Sequence, residues 1–380
     1  MIEGNANDAS FKKAKESNKI NSSSFKDTTN KSTNKKISKK INYNQRQSKI
    51  LKLRKTNKYN LYFLLFIFIS IYTQAYQSKK IDIRKLETAS EITITIKGTG
   101  NQKILSDYYS SAPNTVLVNG NSYASGKSVD VSEEQNIITL IWDSNITNCK
   151  SLFWGLDNII NVDLTKFNAL NVEDMSNMFR ECHSLETVEI DGFNSPNLKD
   201  MSLMFYSCSS LKSIDFKNID TQQVTDMNSM FFDCLQLTSI NLINFNTVSV
   251  TNFSSMFYNC TELTSLNLNN FNTISAVYMN NMFQLCKKLE YLNIDNFKTD
   301  KVEESEFMFR DCNSLTSLDV SKFNMTINKR MWFMFGDCHK LTSIELKNFN
   351  SKNVESMANM FQGCSMIKSL DLSSFSSETL

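Results

Sequence analysis

The chain has 380 residues, of which 41 % are hydrophobic, 2 are Pro and 9 are Gly, so it is long enough to form two or more packed domains. Its 41 Lys and Arg nearly balance its 39 Asp and Glu, but the first 60 residues hold 16 basic and 4 acidic side chains (+12), which leaves 25 and 35 (−10) for the rest. This uneven distribution excludes a uniformly charged chain and indicates a basic tail followed by an acidic body, although the total is nearly neutral.

Residues 1–58 form the basic tail, which is rich in Asn, Ser and Lys and has no periodic apolar pattern. Such a segment buries too little apolar area to offset the entropy of ordering, so we predict that it is disordered. Its run KKISKK is a candidate nuclear-import or nucleic-acid patch, but aromatic residues are not interleaved with the lysines. We therefore prefer to interpret it as a solvated basic flank, with no nucleic-acid partner.

Residues 59–78 (YNLYFLLFIFISIYTQAYQS) carry no charge. The whole segment reaches the ~20 residues that a membrane span needs, whereas its strongly apolar part, 61–72, has a length typical of the core of a signal peptide. We prefer an uncleaved signal anchor; a signal peptide cleaved after Ala75 and a buried soluble helix are the alternatives. Because the basic excess precedes the segment, we predict a single-pass membrane protein with a cytoplasmic N terminus and extracellular repeats, or a secreted protein.

Residues 86–150 are predicted to form a small β module. Ile92, Ile94 and Ile96 alternate with polar residues, which is the pattern of a half-buried strand. The segments NTVLVNGNSY and NIITLIWDS indicate further strands, with Asn-Gly and Ser-Gly turn signals between them. Gly98 and Gly100 are predicted to form a turn, because the Lys and the following helix of a phosphate loop are missing.

Residues 151–380 repeat with a period of 26 in nine units. The motif Met-Phe-x-x-Cys occurs eight times, and an apolar residue follows each Cys three positions later. The first unit keeps the phase but has Leu152 and Leu156 where the others have Met and Cys, as is usual for a terminal repeat. The motif cysteines are Cys182, Cys208, Cys234, Cys260, Cys286, Cys312, Cys338 and Cys364.

The spacing Leu-x-x-Ile-x-Leu followed by Phe-Asn is the leucine-rich pattern of a short strand, a turn and a return segment. In the return segment, the apolar residues from Val172 to Cys182 fall on one face of a helix, with Asn171 and Asn197 as caps and Asp174 and Asp200 in capping-box positions. We therefore predict an α/β solenoid whose core lies between a parallel sheet and a row of short helices.

The whole motif, Met-Phe-x-x-Cys-x-x-Leu-x-x-[Leu/Ile]-[Asp/Asn]-[Leu/Phe]-x-x-Phe-Asn, resembles that of the BspA-like leucine-rich repeat surface proteins over residues 151–380. The resemblance implies a right-handed solenoid displayed on a cell surface, with a role in adhesion or in host and matrix binding, and it carries over no catalytic residues. Ser305 and Asn328 replace apolar residues of the motif, and Ala276 replaces a larger one. We expect the units that contain them to be the least stable.

Equivalent cysteines of adjacent units would lie ~4.8 Å apart, close enough for disulfides, but their side chains should all point into the core. We prefer a ladder of buried free thiols, with disulfides as the alternative in an oxidising compartment. A zinc site is disfavoured because ligands in the same phase form a line. Cys149 is out of phase and is a candidate reactive thiol.

The sequence does not predict an enzyme, a metal site or a cofactor. The two His residues, His183 and His339, are six units apart, so they should be separated by ~29 Å and cannot share a site. Motifs for a phosphate loop or a nucleophile elbow do not occur in the sequence.

A polar column on the predicted strands is the candidate binding surface. One strand position is acidic or Asn in every unit, beside a column of Ser and Thr that Tyr291 interrupts. Alternation places these side chains on the open, concave face, where they form either a protein- or glycan-binding surface or a solvated sheet face. The candidate ligand-binding residues are Glu189, Asp215, Asn241, Asn267, Tyr291, Asn293, Asp319, Glu345 and Asp371.

Two functions follow from these patterns. The preferred one is a membrane-anchored or secreted surface protein that recognises an extracellular protein or glycan; the alternative is an intracellular scaffold. The sequons at Asn145, Asn252, Asn259 and Asn324 are open to glycosylation only in the first case. Residues 376–380 stop where a return segment should begin, so we expect either a truncated reading frame or another chain that covers this end.

Overall fold

The computed structural model describes residues 67, 69–73, 89–190, 194–217 and 219–375. The predicted tail at 1–58, the end at 376–380 and most of the segment at 59–78 lie outside the described residues. Residues 69–73 are helical. Across the described part of the chain, no helix combines the length and the apolarity needed to cross a membrane, and this finding contradicts the prediction of a single-pass membrane protein.

The β module begins with strands that the sequence predicts. Strand β1 (Ser90–Lys97) pairs antiparallel along its whole length with β6 (Gln135–Trp142), and Ile92, Ile94 and Ile96 are fully buried. Strands β3 (Thr115–Val118) and β4 (Asn121–Tyr123) form a hairpin, while β2 (Gly100–Lys103) pairs with β5 (Ser128–Val131).

Turns of the predicted type connect these strands. Asn119 and Gly120 have φ angles of 49° and 80°, as a tight hairpin turn requires. Gly98, with a φ angle of 99°, lies in the turn between β1 and β2, and Gly100, with a φ angle of 74°, is the first residue of β2. The predicted turn is therefore present at both places.

Eight further strands follow, one in each coil from Ile159 to Glu345. Strand β7 (Ile159–Asp163) pairs antiparallel with β1 and parallel with β8, so the module and the first coils share one sheet in the order β4-β3-β6-β1-β7-β8. In parallel pairs each residue faces the residue 26 positions later, as Asn161 faces Thr187. The later strands are β8 (Thr187–Glu189), β9 (Ser213–Asp215), β10 (Ser239–Asn241), β11 (Ser265–Asn267), β12 (Tyr291–Asn293), β13 (Ser317–Asp319) and β14 (Ser343–Glu345).

The predicted solenoid is confirmed, but its return segments are not the predicted helices, so the fold is a β-solenoid. Each return segment is a series of tight turns, and its backbone bonds to the next coil, as the N–H of Phe179 donates to the carbonyl of Met204 at 2.9 Å. Isolated parallel bridges, such as Asp174 to Asp200, continue this pattern along the array. Asn177 and Glu181 both have a φ of 59°, and such left-handed residues four positions apart break any α-helix.

The predicted helix caps are consequently wrong as well. Asn197 donates from Nδ2 to the carbonyl of Leu170 in the preceding coil, at 2.8 Å. Asp174 and Asp200 accept bonds from backbone N–H groups two residues later, which closes a turn instead of a helix.

The core is a set of stacked columns, one residue per coil. The Phe of the motif stacks on its equivalents at centroid distances of 5.2–5.7 Å from Phe153 to Phe361. The apolar residues Val172, Met175 and Met178 of the return segment are fully buried, as predicted from their spacing. Offset ring stacking adds to the area buried, so each coil is held by its neighbours.

Candidate functional site

The predicted binding column lies at the ends of the solenoid strands, where most of its side chains are exposed. Asp215, Asn241 and Glu345 are exposed and Asn293 is half-buried, while Tyr291 is 55 % exposed. Glu189, Asn267, Asp319 and Asp371 are also exposed. The column thus faces solvent, as the alternation of the strands predicts.

A structural role for this column is visible in its hydrogen bonds. Oδ1 of Asp319 accepts the backbone N–H of Ser321 at 2.8 Å, and Asn241, Asn267 and Asp371 each accept the N–H two residues later in the same way. These Asx turns end the strands and set the corner of each coil. Hydrogen bonds from Ser321 hold the pKa of Asp319 below its ordinary value.

Shallow cavities lie beside the column. One of about 420 Å³ is bordered by Glu189 and Asp215, and another of about 430 Å³ by Asn241 and Asn267. Nδ2 of Asn241 donates to Oδ1 of Asp215 at 2.9 Å, so part of the polar surface is already paired. What remains open is mainly carboxylate oxygens of the Asp and Glu members and amide NH₂ groups such as that of Asn267, spaced by one coil.

A second surface feature was not predicted from the sequence. At the position after the motif Phe, half-buried aromatic rings and one guanidinium group follow one another over five coils, and a ring of the β module extends the row. We call this row the ring column, and its members are Tyr108, Trp154, Arg180, Tyr206, Phe232 and Tyr258.

The geometry of the ring column is tight. Tyr108 stacks on Trp154 at 4.4 Å, and the Arg180 Cζ lies 4.6 Å from the Trp154 ring and 4.8 Å from the Tyr206 ring. Phe232 lies 4.6 Å from Tyr206 and 4.3 Å from Tyr258 between ring centroids. Arg180 is therefore held between two rings by cation–π contacts.

Glu181 fixes the start of this arrangement. Its carboxylate accepts bonds from Trp154 Nε1 at 3.1 Å and from Arg180 Nε at 3.0 Å. Although burial raises the pKa of Glu181, the bonds from Trp154 and Arg180 outweigh burial and lower it. The acid is thus kept ionised and orients both side chains.

A cavity of about 500 Å³ lies at the Tyr108 end of the ring column, between the β module and the first coil. Four aromatic residues line it, namely Tyr108, Tyr109, Trp142 and Trp154. The other walls carry mainly hydroxyl and amide side chains, among them Ser110, Ser144, Asn145, Thr147 and Asn148. Pockets of this volume accommodate small molecules.

The repeats match the family described as Mycoplasma protein of unknown function, DUF285, over residues 126–239, 190–289 and 264–375. These overlapping matches cover more than half of the chain. The chain belongs to the DUF285 family. No curated protein matches the chain.

In the DUF285 repeats of this chain, all eight motif cysteines are free thiols, and so is Cys149. Each motif thiol donates to the carbonyl of the Phe 29 residues earlier, as Cys208 does to Phe179 at 3.0 Å. Burial raises the pKa of Cys182 and of Cys286 to about 12, and it also raises that of Cys149. Cys149 is fully buried, so the structure does not support a reactive thiol there.

The two His residues of the DUF285 repeats lie on the surface and have separate partners. His183 Nδ1 contacts Asp157 at 2.7 Å, and His339 Nδ1 contacts the carbonyl of Gly363 at 2.9 Å. Each His therefore interacts with the coil next to it.

Proposed function

We propose that this DUF285 protein is a non-enzymatic recognition protein that binds a protein or a glycan through the surface of its repeat solenoid. The observation that carries the proposal is the ring column, which places aromatic rings and an Arg in one continuous row. Tyr, Trp and Arg are the residue types that most often dominate the binding energy of interfaces.

The ring column is also ordered before any partner arrives. Arg180 is fixed by Glu181 and by Asn177, whose Oδ1 accepts a bond from Nη1 at 3.2 Å, and each ring of the column is stacked. Ordering long side chains on binding opposes association, at about 0.5–1.5 kcal/mol for each one. A partner of the ring column avoids much of this cost.

The strand column of Asp, Glu and Asn residues is a second binding surface in this proposal. In these Asx turns an Asp such as Asp319 uses one carboxylate oxygen and leaves the other for a partner, whereas an Asn such as Asn267 uses its single amide oxygen and leaves its NH₂ group. The resemblance of the repeat to BspA-like surface proteins supports the same kind of role, which is adhesion or recognition without catalysis.

The experiment is a binding screen of the immobilised full-length chain against arrays of purified glycans and purified proteins. Every ligand found is then tested on two double variants. The first, Tyr206→Ala with Tyr258→Ala, shortens the ring column; the second, Asp215→Ala with Tyr291→Ala, alters the strand column. Lys199→Ala, at an exposed Lys paired with Glu173, is the matched control.

We expect at least one double variant to weaken binding by about fivefold or more, while the control stays within about twofold, because hot-spot residues contribute more than about 1 kcal/mol each. Circular dichroism confirms that the variants are folded. Unchanged binding in Asp215→Ala with Tyr291→Ala rejects the strand column as a binding surface. Unchanged binding in both double variants, or no ligand on either array, rejects the proposed function.

A further inference from the structure

The ring column ends in the 500 Å³ cavity, and its last ring, Tyr108, is the most exposed member, at 70 %. The inner rings are covered on their faces by neighbours in the stack, so they present edges to a partner. Tyr108 stacks on Trp154 and stands at the end of the row. An aromatic face at the end of such a row is free for a ligand that packs flat against it.

The polar walls of the cavity are neutral. Lys150 is the one charged side chain among the described lining residues, and its Nζ lies 3.6 Å from Asp174. Burial raises the pKa of Tyr109, which keeps its hydroxyl protonated. The walls therefore offer hydroxyl and amide groups, which both donate and accept hydrogen bonds, and no uncompensated charge.

Trp142 provides a further observation at the same place. This residue lines the cavity, is 2 % exposed, and its indole Nε1 has no hydrogen-bond acceptor in the described structure. A buried donor without an acceptor is unfavourable by about 1–3 kcal/mol. This Nε1 is itself enclosed, so a ligand hydroxyl oxygen supplies the acceptor only after a small shift of the lining residues.

From these features we infer that the cavity is a binding site for a neutral saccharide unit, which packs its C–H face on Tyr108 and bonds through its hydroxyl groups to the amide and hydroxyl walls. A sugar ring matches both parts of the lining, since the face of an aromatic ring is electron-rich and attracts polarised C–H groups. An anionic ligand would meet Lys150 already paired, and a purely apolar ligand would leave the polar walls unpaired. This inference rests on the proposed function and names the ligand class for one end of the ring column.

The test uses intrinsic fluorescence of the full-length chain, produced in a bacterium so that Asn145 carries no glycan. The chain has three Trp, and two of them, Trp142 and Trp154, line the cavity. In a Trp332→Phe background the Trp fluorescence, excited selectively over that of Tyr, therefore comes from the cavity alone. The probes are glucose, galactose, mannose and N-acetylglucosamine, each also as its linear trimer.

We expect a saturable change for at least one probe, with a dissociation constant at or below the millimolar range. Tyr108→Ala should weaken this binding by about fivefold to thirtyfold, as the loss of a central aromatic contact does. Ser144→Phe, on an exposed wall residue, should block the cavity without removing a ring. Tyr278→Ala, which removes an exposed Tyr outside both the cavity and the proposed binding surfaces, should bind as the background does.

Two results would overturn the inference: no saturable change with any neutral probe, or a change that persists in both Tyr108→Ala and Ser144→Phe. If the array screen finds a ligand that depends on the ring column but the fluorescence titrations are negative, the saccharide site fails and the proposed function stands. If both are negative, both fail.

Discussion

Asn328 donates a hydrogen bond from Nδ2 to Oγ of Ser305 at 3.0 Å, and both side chains are completely buried. Ser305 occupies the position of Met331 in the next coil, and Asn328 that of Val302 in the preceding one. The two departures from the apolar motif are therefore one polar pair between adjacent coils. Each residue supplies the partner that the other needs in the core.

The pair predicts strong coupling between two substitutions. Ser305→Ala leaves Asn328 Nδ2 with only the carbonyl of Val302, at 3.4 Å, and should lower the free energy of unfolding by about 1–3 kcal/mol. Adding Asn328→Val should recover most of this loss, because it also removes Oδ1, which has no partner in the described structure. Urea unfolding of the two single variants and the double variant measures the coupling. Additive losses would contradict the prediction.

The buried thiols predict a loss of stability at alkaline pH. The pKa of Cys182 and of Cys286 is raised from 9.0 to about 12 by burial, so above pH 9 the unfolded thiols release protons that the folded ones retain. The folded state then binds more protons, and its stability falls as pH rises from about 9 to 12, by up to about 1.4 kcal/mol per pH unit for each thiol.

Cys182→Ala with Cys286→Ala should therefore flatten the dependence of the unfolding free energy on pH between about 9 and 11. Below pH 8 the dependence on pH should be the same in the variant and the parent, because both states keep these thiols protonated there. Urea unfolding at a series of pH values makes the comparison. Equal slopes above pH 9 would show that these thiols are not protected from ionisation.

Substitutions of Asp319 should separate the contribution of its charge to stability from the contribution of the turn that it closes. Asp319→Asn keeps an oxygen that can accept the N–H of Ser321, whereas Asp319→Ala removes it and should lower the free energy of unfolding by about 0.5–1.5 kcal/mol. The pKa of Asp319 is lowered by its bonds from Ser321, so its contribution is present above the ordinary value of 3.8 and is lost as pH falls below it.

Thermal unfolding between pH 5 and pH 2 tests both parts of this prediction. The parent should lose an increment of stability that Asp319→Asn does not lose, and Asp319→Ala should be the least stable at pH 7. Equal stability of the Asn and Ala variants at pH 7 would show that the Asx turn contributes little.

Substitution of Phe257 tests how much the stacked Phe column contributes to the free energy of unfolding. It is completely buried and lies 5.7 Å from both Phe231 and Phe283. Phe257→Ala removes a full ring from the middle of the array and should lower the free energy of unfolding by about 3–5 kcal/mol, whereas Phe257→Leu should cost less because it leaves a smaller cavity. Chemical unfolding compares the two variants, and equal losses would contradict a role for cavity size.

The sequence predicts the strands well because side chains in a strand alternate strictly. Ile92, Ile94 and Ile96 show this period, and the repeat of 26 residues places equivalent residues side by side, as Asn161 and Thr187. The exposed polar column follows from the same alternation. These parts of the fold follow from residue patterns that can be read directly from the sequence.

The return segment was mispredicted because apolar residues three positions apart fit both a helix and a series of three-residue turns. The backbone decides between them, and Leu203 (φ 56°) and Phe307 (φ 58°) adopt left-handed conformations that their residue types disfavour. Contacts with neighbouring coils hold them there, and a local pattern does not contain those contacts.

The ring column and the cavity were missed for a different reason. The motif is defined by its invariant residues. The ring column occupies a variable position of the motif, at Trp154, Arg180 and Tyr206, so the motif does not reveal it. The partner of Trp154 in the cavity, Tyr108, lies 46 positions earlier in the β module, so its proximity appears only once the chain is folded.

The pairing of strand β1 with β7 determines where the gene can gain or lose repeats. It runs antiparallel along β7, so both edges of the first solenoid strand are occupied, whereas every coil after β8 meets others of the same design. In-frame duplication or deletion of 26 codons within the array rejoins equivalent positions and leaves the β1–β7 seam unchanged. Recombination between repeats can thus lengthen or shorten the solenoid in steps of one coil, while the end that carries the cavity keeps its structure.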